Sequence, residues 1–286
     1  MTQGKRDKQF YEQRASDEMA RHFLSADYDT RQKLALAGRM LAREEHESGL
    51  AGQITARAER PGTFWTARFG YGLDEVTAGN LLLVDDDLNP VEGDGMPNPS
   101  TRFHLWIYRV RPDVNCILHT HPPHTSALSM LGEELAVSHM DTTMFFEDCA
   151  YLPEWPGVPF GDEEGLIISK TLGQKRAILL AHHGQLVACP TIEEAAVLAV
   201  FMERAAKMQL RARAIGPIKP IRRELALEAR QYRLKPKAIE ASFNYFARQI
   251  RRDLSSIRCW TRSWSPRYRK TMCWRAATQN TTHRFR

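Results

Sequence analysis

Two histidines separated by one residue, and followed at once by two prolines, constrain this sequence more than any other feature. The mainly apolar run 114–118 is typical of a buried strand, and His119 and His121 come directly after it. Residues two apart on a strand point to the same face, so the two imidazoles project together. Pro122 and Pro123 cannot continue the interior of a strand, which places the pair at the strand end. This arrangement predicts half of a metal site.

A structural role is the alternative for this pair. A histidine beside an apolar strand is often a core residue held by hydrogen bonds rather than a ligand. Burying both rings without a metal, however, leaves several ring nitrogens that need partners. The pair alone therefore leaves both interpretations open.

A second histidine segment favours the metal. The apolar run 177–181 is followed by His182, His183 and Gly184, and then by another apolar run. Neighbouring residues on a strand face opposite ways, so we expect only one of the two histidines to join the site. Gly184 lets the backbone approach a ligand closely. Three imidazoles with an open fourth position are typical of a catalytic divalent-metal site, usually zinc, although Mn²⁺ and Co²⁺ use the same ligand types.

Three segments of the sequence resemble the class II aldolase/adducin family. They read STRFHLWIYRVRPDVNCILH, HTHPPHTSALSML and AILLAHHGQLVACPTIEEAAVLA, and the resemblance extends over residues 31–214. The family includes fuculose-phosphate aldolase, ribulose-phosphate 4-epimerase and the non-catalytic adducin head domains. The resemblance implies a three-layer α/β/α sandwich with a central, mainly antiparallel sheet. It also implies that His119, His121 and His183 hold a zinc ion, with His182 as a neighbour.

The function implied by this resemblance is that of a metal-dependent lyase of the aldehyde-lyase class. Such an enzyme cleaves a carbon–carbon bond next to a carbonyl through a metal-stabilised enediolate. A decarboxylase or an epimerase of the same family, and a non-catalytic adducin-like binding module, remain alternatives. The retention of all three ligand positions favours the enzyme. The resemblance also implies carbohydrate metabolism, a small-molecule carbonyl substrate, and a homotetramer with the active site between subunits.

The sequence departs from the aldolase pattern at the proton-transfer position. In the aldolase branch a Glu lies two positions before R-F-H, and this chain has Ser100 there. A serine hydroxyl cannot replace a carboxylate as the base. Residues 138–141 resemble the H-x-D segment of the epimerase branch, whose Asp transfers a proton, so Asp141 is the predicted catalytic residue. The alternative is that Asp141 only orients His139 or a neighbouring backbone group.

The positions that bind phosphate in the aldolase branch are also altered. Small hydroxyl residues are replaced by Asn98 and Pro99, and a Thr-Gly pair by Phe69 and Gly70. Proline has neither an N–H nor a hydroxyl, and phenylalanine cannot donate a hydrogen bond. With Gly70 as a substrate-binding position, the sequence predicts a non-phosphorylated substrate, either a hydroxy-keto acid or an aromatic carboxylic acid.

A substrate carboxylate requires a cationic partner. Arg102 is the predicted substrate-binding residue for this group, and Arg68 is a second candidate. An ion pair within the fold is the alternative role for Arg102.

The sequence predicts four parts along the chain. Residues 1–28 form an N-terminal extension, 29–216 a class II aldolase/adducin-type domain, 217–252 helices that pack on it, and 253–286 a basic, disordered tail. From residue 251 onwards there are ten Lys or Arg and one acidic residue, so this end of the chain has a net charge of +9. Because the whole chain has a net charge of +6, residues 1–250 have a net charge of −3. A nucleic-acid-binding arm is the alternative for the tail, but no specific nucleic-acid partner is expected.

Composition favours a cytoplasmic location without membrane contact. No run of about 18 apolar residues indicates a membrane span. Residues 1–14 are polar and lack the character of a signal peptide. The five cysteines are scattered, and their odd number suits a reducing compartment.

Overall fold

The structure, a computed structural model, describes residues 7–23 and 25–263, with side chains as far as residue 252. Its helices are α1 (Lys8–His22), α2 (Thr30–Arg43), α3 (Arg102–Val110), α4 (Pro123–Ser129), α5 (Asp162–Leu172), α6 (Ile192–Arg213), α7 (Arg223–Arg233) and α8 (Pro236–Ser263). Its strands are β1 (Gln53–Arg57), β2 (Phe64–Ala67), β3 (Leu81–Val84), β4 (Pro90–Glu92), β5 (Cys116–Thr120), β6 (Cys149–Leu152), β7 (Ala177–Leu180) and β8 (Gly184–Cys189). Short 3-10 turns cover Leu73–Glu75, Pro99–Thr101 and Met140–Phe145.

The strands form one mixed sheet in the order β4-β3-β2-β1-β5-β8-β7-β6. Neighbouring strands are antiparallel except β6 and β7, which are parallel. The central strand β5 pairs with β1 on one side and β8 on the other. Because β5 and β8 run in opposite directions, the end of β5 meets the start of β8.

Helices cover both faces of the sheet. On one face, α3 packs against α5, and α5 contacts β6 and β7; on the other, α6 contacts β5, β8, α2 and α4. Phe103, Ile117 and Leu186 belong to the core on the α3 side. Their strand neighbours Leu118 and Val187 are equally buried and point to the opposite face. The predicted three-layer α/β/α sandwich with a mainly antiparallel sheet is confirmed.

Local hydrogen bonds set the start of two long helices. The side chain of Asp29 accepts the N–H of Gln32 at the start of α2, and the Gln32 side chain accepts the N–H of Asp29 in return. Thr191 and Glu194 carry the T-x-x-E pattern that predicts a capping box for α6. The Thr191 hydroxyl does accept the N–H of Glu194. The reciprocal bond is replaced by an ion pair between Glu194 and Arg176.

Three segments differ from the structure that their sequence predicts. Residues 136–146 suggest strand and loop, yet they contain the 3-10 turn Met140–Phe145, in which threonine hydroxyls bond back to nearby carbonyls. Ser100 suggests a cap for α3, but it lies inside a 3-10 turn that Asn98 caps. The last helix, predicted to end at residue 252, is described as far as Ser263. The rest of the predicted tail, 264–286, lies outside the described residues.

The chain divides into two units, Met1–Phe246 and Ala247–Arg286. The first unit contains the whole sheet and every residue of the site described below. The four segment boundaries that the sequence predicts stay predictions. No helix in the described part of the chain is long and apolar enough to cross a membrane.

The contact between α3 and α5 gives a test of this packing. A Cβ built on Gly165 of α5 lies 2.8 Å from Cγ of Trp106 on α3, whose indole N–H donates to Asp162. Alanine is ordinarily the better helix former by about 1 kcal/mol. We nevertheless expect Gly165→Ala to lower the free energy of unfolding by about 1–3 kcal/mol, because the indole must move. Urea denaturation measures this, with Glu163→Ala on the exposed side of α5 as the control. A Gly165→Ala protein as stable as the wild type would contradict the packing.

Candidate metal centre

Three imidazoles converge at the end of the central strand. His119 belongs to β5, His121 lies just beyond it, and His183 directly precedes β8. Each offers one nitrogen, and these nitrogens all lie within 4.8 Å of one another. The ring centroids of the three pairs are 4.8, 4.7 and 4.6 Å apart. The structure thus brings together the three residues that the resemblance implies as ligands.

Hydrogen bonding fixes which nitrogen of His119 faces the other rings. The ring is buried, and its Nδ1 lies 2.8 Å from the backbone carbonyl oxygen of Gln185. A carbonyl only accepts, so Nδ1 carries the proton and Nε2 keeps its lone pair. That Nε2 lies 2.9 Å from Nε2 of His121. Two ring nitrogens at this distance need a proton or a cation between them.

His182 and His183 lie in the tight turn between β7 and β8 rather than on a strand. Leu180 pairs with Gly184 across this turn. His182 has a left-handed backbone with φ 55°, and its side chain is exposed while its N–H donates to the carbonyl of Ser129. The structure therefore brings His183, and not His182, to the other two rings. The turn conformation is the cause, whereas the sequence suggested the alternation of a strand.

Gly184 makes the closest approach in the site. A Cβ built on it lies 2.5 Å from the carbonyl oxygen of Thr120 and 2.8 Å from Cδ2 of His121. No residue with a side chain fits there unless both His121 and the backbone of Thr120 move. The sequence suggested that Gly184 permits a close backbone approach, and the structure shows that the approach is to a candidate ligand.

The surroundings keep all three imidazoles neutral. Burial, aided by His183 and His121, lowers the pKa of His119 well below its usual range. Burial also lowers the pKa of His121. Burial, with a smaller effect of His121, lowers the pKa of His183 to about 4. Neutral imidazole is the form that binds a metal.

A buried polar cluster, which sequence reasoning did not identify, supports the segment that follows His119 and His121. Glu203 of α6 accepts hydrogen bonds from the N–H groups of His124 and Thr125 at the start of α4, at 2.9 and 2.8 Å. It also accepts the Thr125 hydroxyl. That hydroxyl lies 3.2 Å from the side-chain oxygen of Gln185, the residue whose carbonyl orients His119. The available signal was one acidic residue within the apolar stretch of α6.

The three imidazoles line a cavity of about 490 Å³. The other polar groups in the lining are Gln53, Asn98 and Ser100. Its apolar lining consists of Leu50, Ala51, Phe69, Pro99, Trp155, Val158, Pro159 and Phe160. Among the residues that the structure describes, the lining thus has no carboxylate and no Lys or Arg.

Gln53 is a second residue that the sequence did not reveal. It is buried on β1 directly opposite His119 of β5. Its side-chain oxygen has no hydrogen-bond partner among the described residues. A buried amide oxygen without a partner is costly, so a ligand that donates a hydrogen bond would be favoured here.

Asp141, the predicted proton-transfer residue, is not part of this lining. It lies in a 3-10 turn and forms an ion pair with Arg233 of α7 at 2.8 Å. Its backbone N–H donates to Nδ1 of His139. The catalytic role of Asp141 stays a prediction.

The predicted substrate-binding residues also lie outside the lining. Gly70 is in an exposed turn next to Phe69, which does line the cavity. Arg102 begins α3, its backbone N–H donates to the carbonyl of Pro99, and its side chain makes no hydrogen bond or ion pair to a residue that the structure describes. Arg68 lies over the ring of Tyr71, with its guanidinium carbon 5.4 Å from the ring centroid. Their roles in binding stay predictions.

The donor set fits a divalent cation. Three neutral imidazole nitrogens, with the remaining side open to a cavity, are the ligands of catalytic zinc sites. The bond from His119 to a backbone carbonyl is the kind of support that metal-binding histidines usually have.

The part of the chain that contains this site matches a known protein family. The family model described as Class II Aldolase and Adducin N-terminal domain matches residues 32–210. This span contains all three histidines and the whole cavity lining.

Similar proteins include enzymes with different reactions. A 4-hydroxy-3-prenylphenylpyruvate oxygenase/4-hydroxy-3-prenylbenzoate synthase of Streptomyces roseochromogenus subsp. oscitans is 32% identical over 183 residues, covering 63% of this chain and 66% of that protein. Decarboxylase NovR of Streptomyces niveus is also 32% identical over 183 residues, covering 63% of this chain and 68% of that protein. The solved L-fuculose 1-phosphate aldolase from Glaciozyma antarctica PI12 is 28% identical, with a TM-score of 0.72 over 79% of this chain and 90% of that one. The matched part of the chain spans about two thirds of the length of the two Streptomyces proteins.

The close approach at Gly184 can be tested by metal binding. We expect Gly184→Ala to bind Zn²⁺ about 10- to 100-fold more weakly than the wild type, because the new methyl displaces His121. Competition with a chromogenic chelator measures the affinity, and circular dichroism checks the fold. Gly79→Ala is the matched control, since the nearest atom to a Cβ there is 4.0 Å away. Unchanged affinity in Gly184→Ala would contradict the geometry.

The burial of His46 leads us to expect that acid lowers the stability of the protein. His46 is buried, with Nδ1 2.9 Å from the Thr120 hydroxyl, and burial lowers its pKa to about 3. In the unfolded chain the pKa is about 6.5, so between these values the unfolded state binds more protons and stability falls as the pH drops. We expect His46→Asn, which does not titrate, to reduce this loss by about 1 kcal/mol per pH unit between pH 6.5 and 4.5. Urea denaturation of chelator-treated protein at several pH values measures the slope of the free energy of unfolding against pH for the wild type and for His46→Asn. Equal slopes would show that His46 does not stay neutral.

Proposed function

This chain belongs to the class II aldolase and adducin N-terminal domain family, and from this premise we propose that it is a metal-dependent lyase that breaks a carbon–carbon bond next to a carbonyl. The convergence of His119, His121 and His183 on one cavity carries the proposal. Zn²⁺ is the proposed metal, and Mn²⁺ and Co²⁺ are alternatives for the same ligands. A non-catalytic binding module has no need of three neutral imidazoles facing a cavity.

The residues around the cavity have separable tasks. A divalent cation held by the three imidazoles would supply a Lewis acid for a carbonyl or carboxylate oxygen. The carbonyl of Gln185 holds His119 in the tautomer that presents Nε2. Gln53 lines the cavity opposite His119, where its side-chain amide can form a hydrogen bond with a substrate group. The apolar lining offers surface that a bound substrate would cover.

The composition of the cavity favours loss of carbon dioxide over aldol cleavage. Aldol cleavage begins when a base removes a hydroxyl proton, and Ser100 occupies the place where the aldolase branch has its Glu. Loss of carbon dioxide needs no such base and requires a proton only after the bond has broken. A relative that is named a decarboxylase supports the loss of carbon dioxide, and the aldolase among the solved structures supports aldol cleavage. We therefore rank a decarboxylase first and an aldolase-like lyase second.

The substrate is proposed to be a non-phosphorylated acid. The described lining contains no Lys or Arg to compensate a phosphate dianion. A keto or hydroxy acid instead has a carboxylate oxygen and a neighbouring carbonyl or hydroxyl oxygen, and these two oxygens could chelate a metal ion held by the three imidazoles.

We further propose a homotetramer in which a neighbouring subunit completes the site. The resemblance implies an active site between subunits, and the described cavity lining lacks a group that can deliver a proton. Asp141 is the proposed group. Its ion pair with Arg233 holds it at the surface of its own subunit in a fixed position.

Metal content and turnover test the proposal together. We expect the purified protein to contain about one divalent ion per chain and to convert keto or hydroxy acids in a screen, with activity lost in chelator and restored by Zn²⁺. His183→Ala should lose metal and at least about 100-fold in turnover, since a Lewis acid supplies several kcal/mol and each 1.4 kcal/mol is tenfold. His182→Ala, one residue away and outside the cavity, should keep both. Carbon dioxide and aldehyde assays separate the two reactions.

Two results would count against parts of this proposal. A stable wild-type protein that binds no metal and turns over no acid would instead indicate an adducin-like binding module. Full activity in Asp141→Asn would exclude Asp141 as the proton-transfer group.

A further inference from the structure

We propose that the substrate carries an aromatic ring, and that Trp155, Val158, Pro159 and Phe160, here called the 155–160 wall, pack against that ring. This inference rests on the proposed function and chooses between the two acid classes that the sequence left open.

The wall presents apolar side chains to the same cavity as the imidazoles. Trp155, Val158 and Phe160 line the cavity together with His121 and His183. Their relative exposures are 51, 50 and 57%, so each side chain leaves about half of its surface in water. Apolar surface gains free energy when it is covered, and aromatic side chains gain most because of their area. A ligand that extends from the metal centre would cover this surface.

The wall is held in shape before any ligand binds. Pro153, Pro156 and Pro159 recur through the loop, and each fixes its own backbone φ. The N–H of Phe160 donates to the carbonyl of Val158 at 2.8 Å. A loop restrained in this way loses little conformational entropy on binding, so most of the gain from burial appears as affinity.

The polar and apolar groups of the cavity suit an acid with a ring better than a sugar acid. The polar groups in the described lining are the three imidazoles, Gln53, Asn98 and Ser100. A chain of hydroxyls packed along the wall would lose its hydrogen bonds to water without replacement. An aromatic acid places its oxygens at the imidazoles and its ring at the wall. A cavity of about 490 Å³ is within the range usual for small-molecule sites.

Binding of phenylpyruvate and pyruvate tests the inference. These probes share the keto-acid end and differ by one phenyl group. With Zn²⁺-loaded full-length protein, we expect calorimetry to give phenylpyruvate a Kd about 10- to 100-fold lower than that of pyruvate, the range expected for burying one ring. Trp155→Ala should reduce this ratio about tenfold without changing the Kd of pyruvate. Trp155→Phe should restore most of it. Tyr245→Ala, an exposed aromatic residue that does not line the cavity, is the matched control.

Two outcomes would overturn the inference. The first is equal or undetectable binding of the two probes by the wild type. The second is a ratio of the two Kd values that Trp155→Ala leaves unchanged. If light scattering then also shows a changed oligomeric state in Trp155→Ala, the wall is a contact between copies of the chain.

The binding ratio is separable from the proposed reaction. A preserved preference for phenylpyruvate without turnover of any acid would remove the lyase and leave an aromatic-acid site. Metal-dependent turnover with a ratio near one would support the lyase and remove the wall as its specificity element.

Discussion

The antiparallel register between β5 and β8 is the constraint on which the site depends. Thr120 lies opposite Gln185, and His119 lies opposite Leu186. In this register the carbonyl of Gln185 reaches Nδ1 of His119, and Gly184 passes beside His121. A slip of one residue would turn His119 to the other face of the sheet. The site is thus a consequence of strand pairing, and the absent side chain of Gly184 is what allows the strands to pair this closely at their ends.

The candidate ligands are backed by a polar layer on the opposite face of β5. Thr120 follows His119 and therefore points towards α6, where it meets the side chains of His46 and Gln185. The side chain of Gln185 also donates to the carbonyl of Ala199 on α6. Apolar residues would fill this space without a need for exact partners, whereas hydrogen bonds fix one arrangement. Each bond contributes only about 1 kcal/mol net, but a partner left unpaired in this layer would cost more. The layer therefore serves to hold the ligand strand in one position.

The sandwich and the three residues that converge at the strand end were predicted through the family resemblance that the H-x-H and His-His-Gly motifs carry. The H-x-H pair with its prolines is a local signal whose placement at a strand end follows from backbone rules, whereas the turn at His182 and His183 was not predicted, because the apolar runs on both sides suggested a strand. The cavity was harder, since Gln53, Trp155 and Phe160 come from separate segments that only the folded chain brings together. Glu203 was missed for a related reason, because its partners at the start of α4 are far away in sequence. Asp141 and Gly70 were chosen by analogy of motif and Arg102 for its charge, and neither criterion carries information on whether a residue reaches this cavity.

The distance along the chain between the two parts of the triad has a consequence for the lifetime of the protein. His121 and His183 come from segments that an unfolded chain does not hold together, so a metal ion that binds all three rings binds the native state alone. By mass action such an ion stabilises the native state by about 2.7 kcal/mol when its free concentration is 100 times its Kd. Thermal resistance and survival against proteases would then rise and fall with the supply of that metal in the surrounding solution. A chain with such a bound ion would couple its own stability to metal availability without a separate sensor.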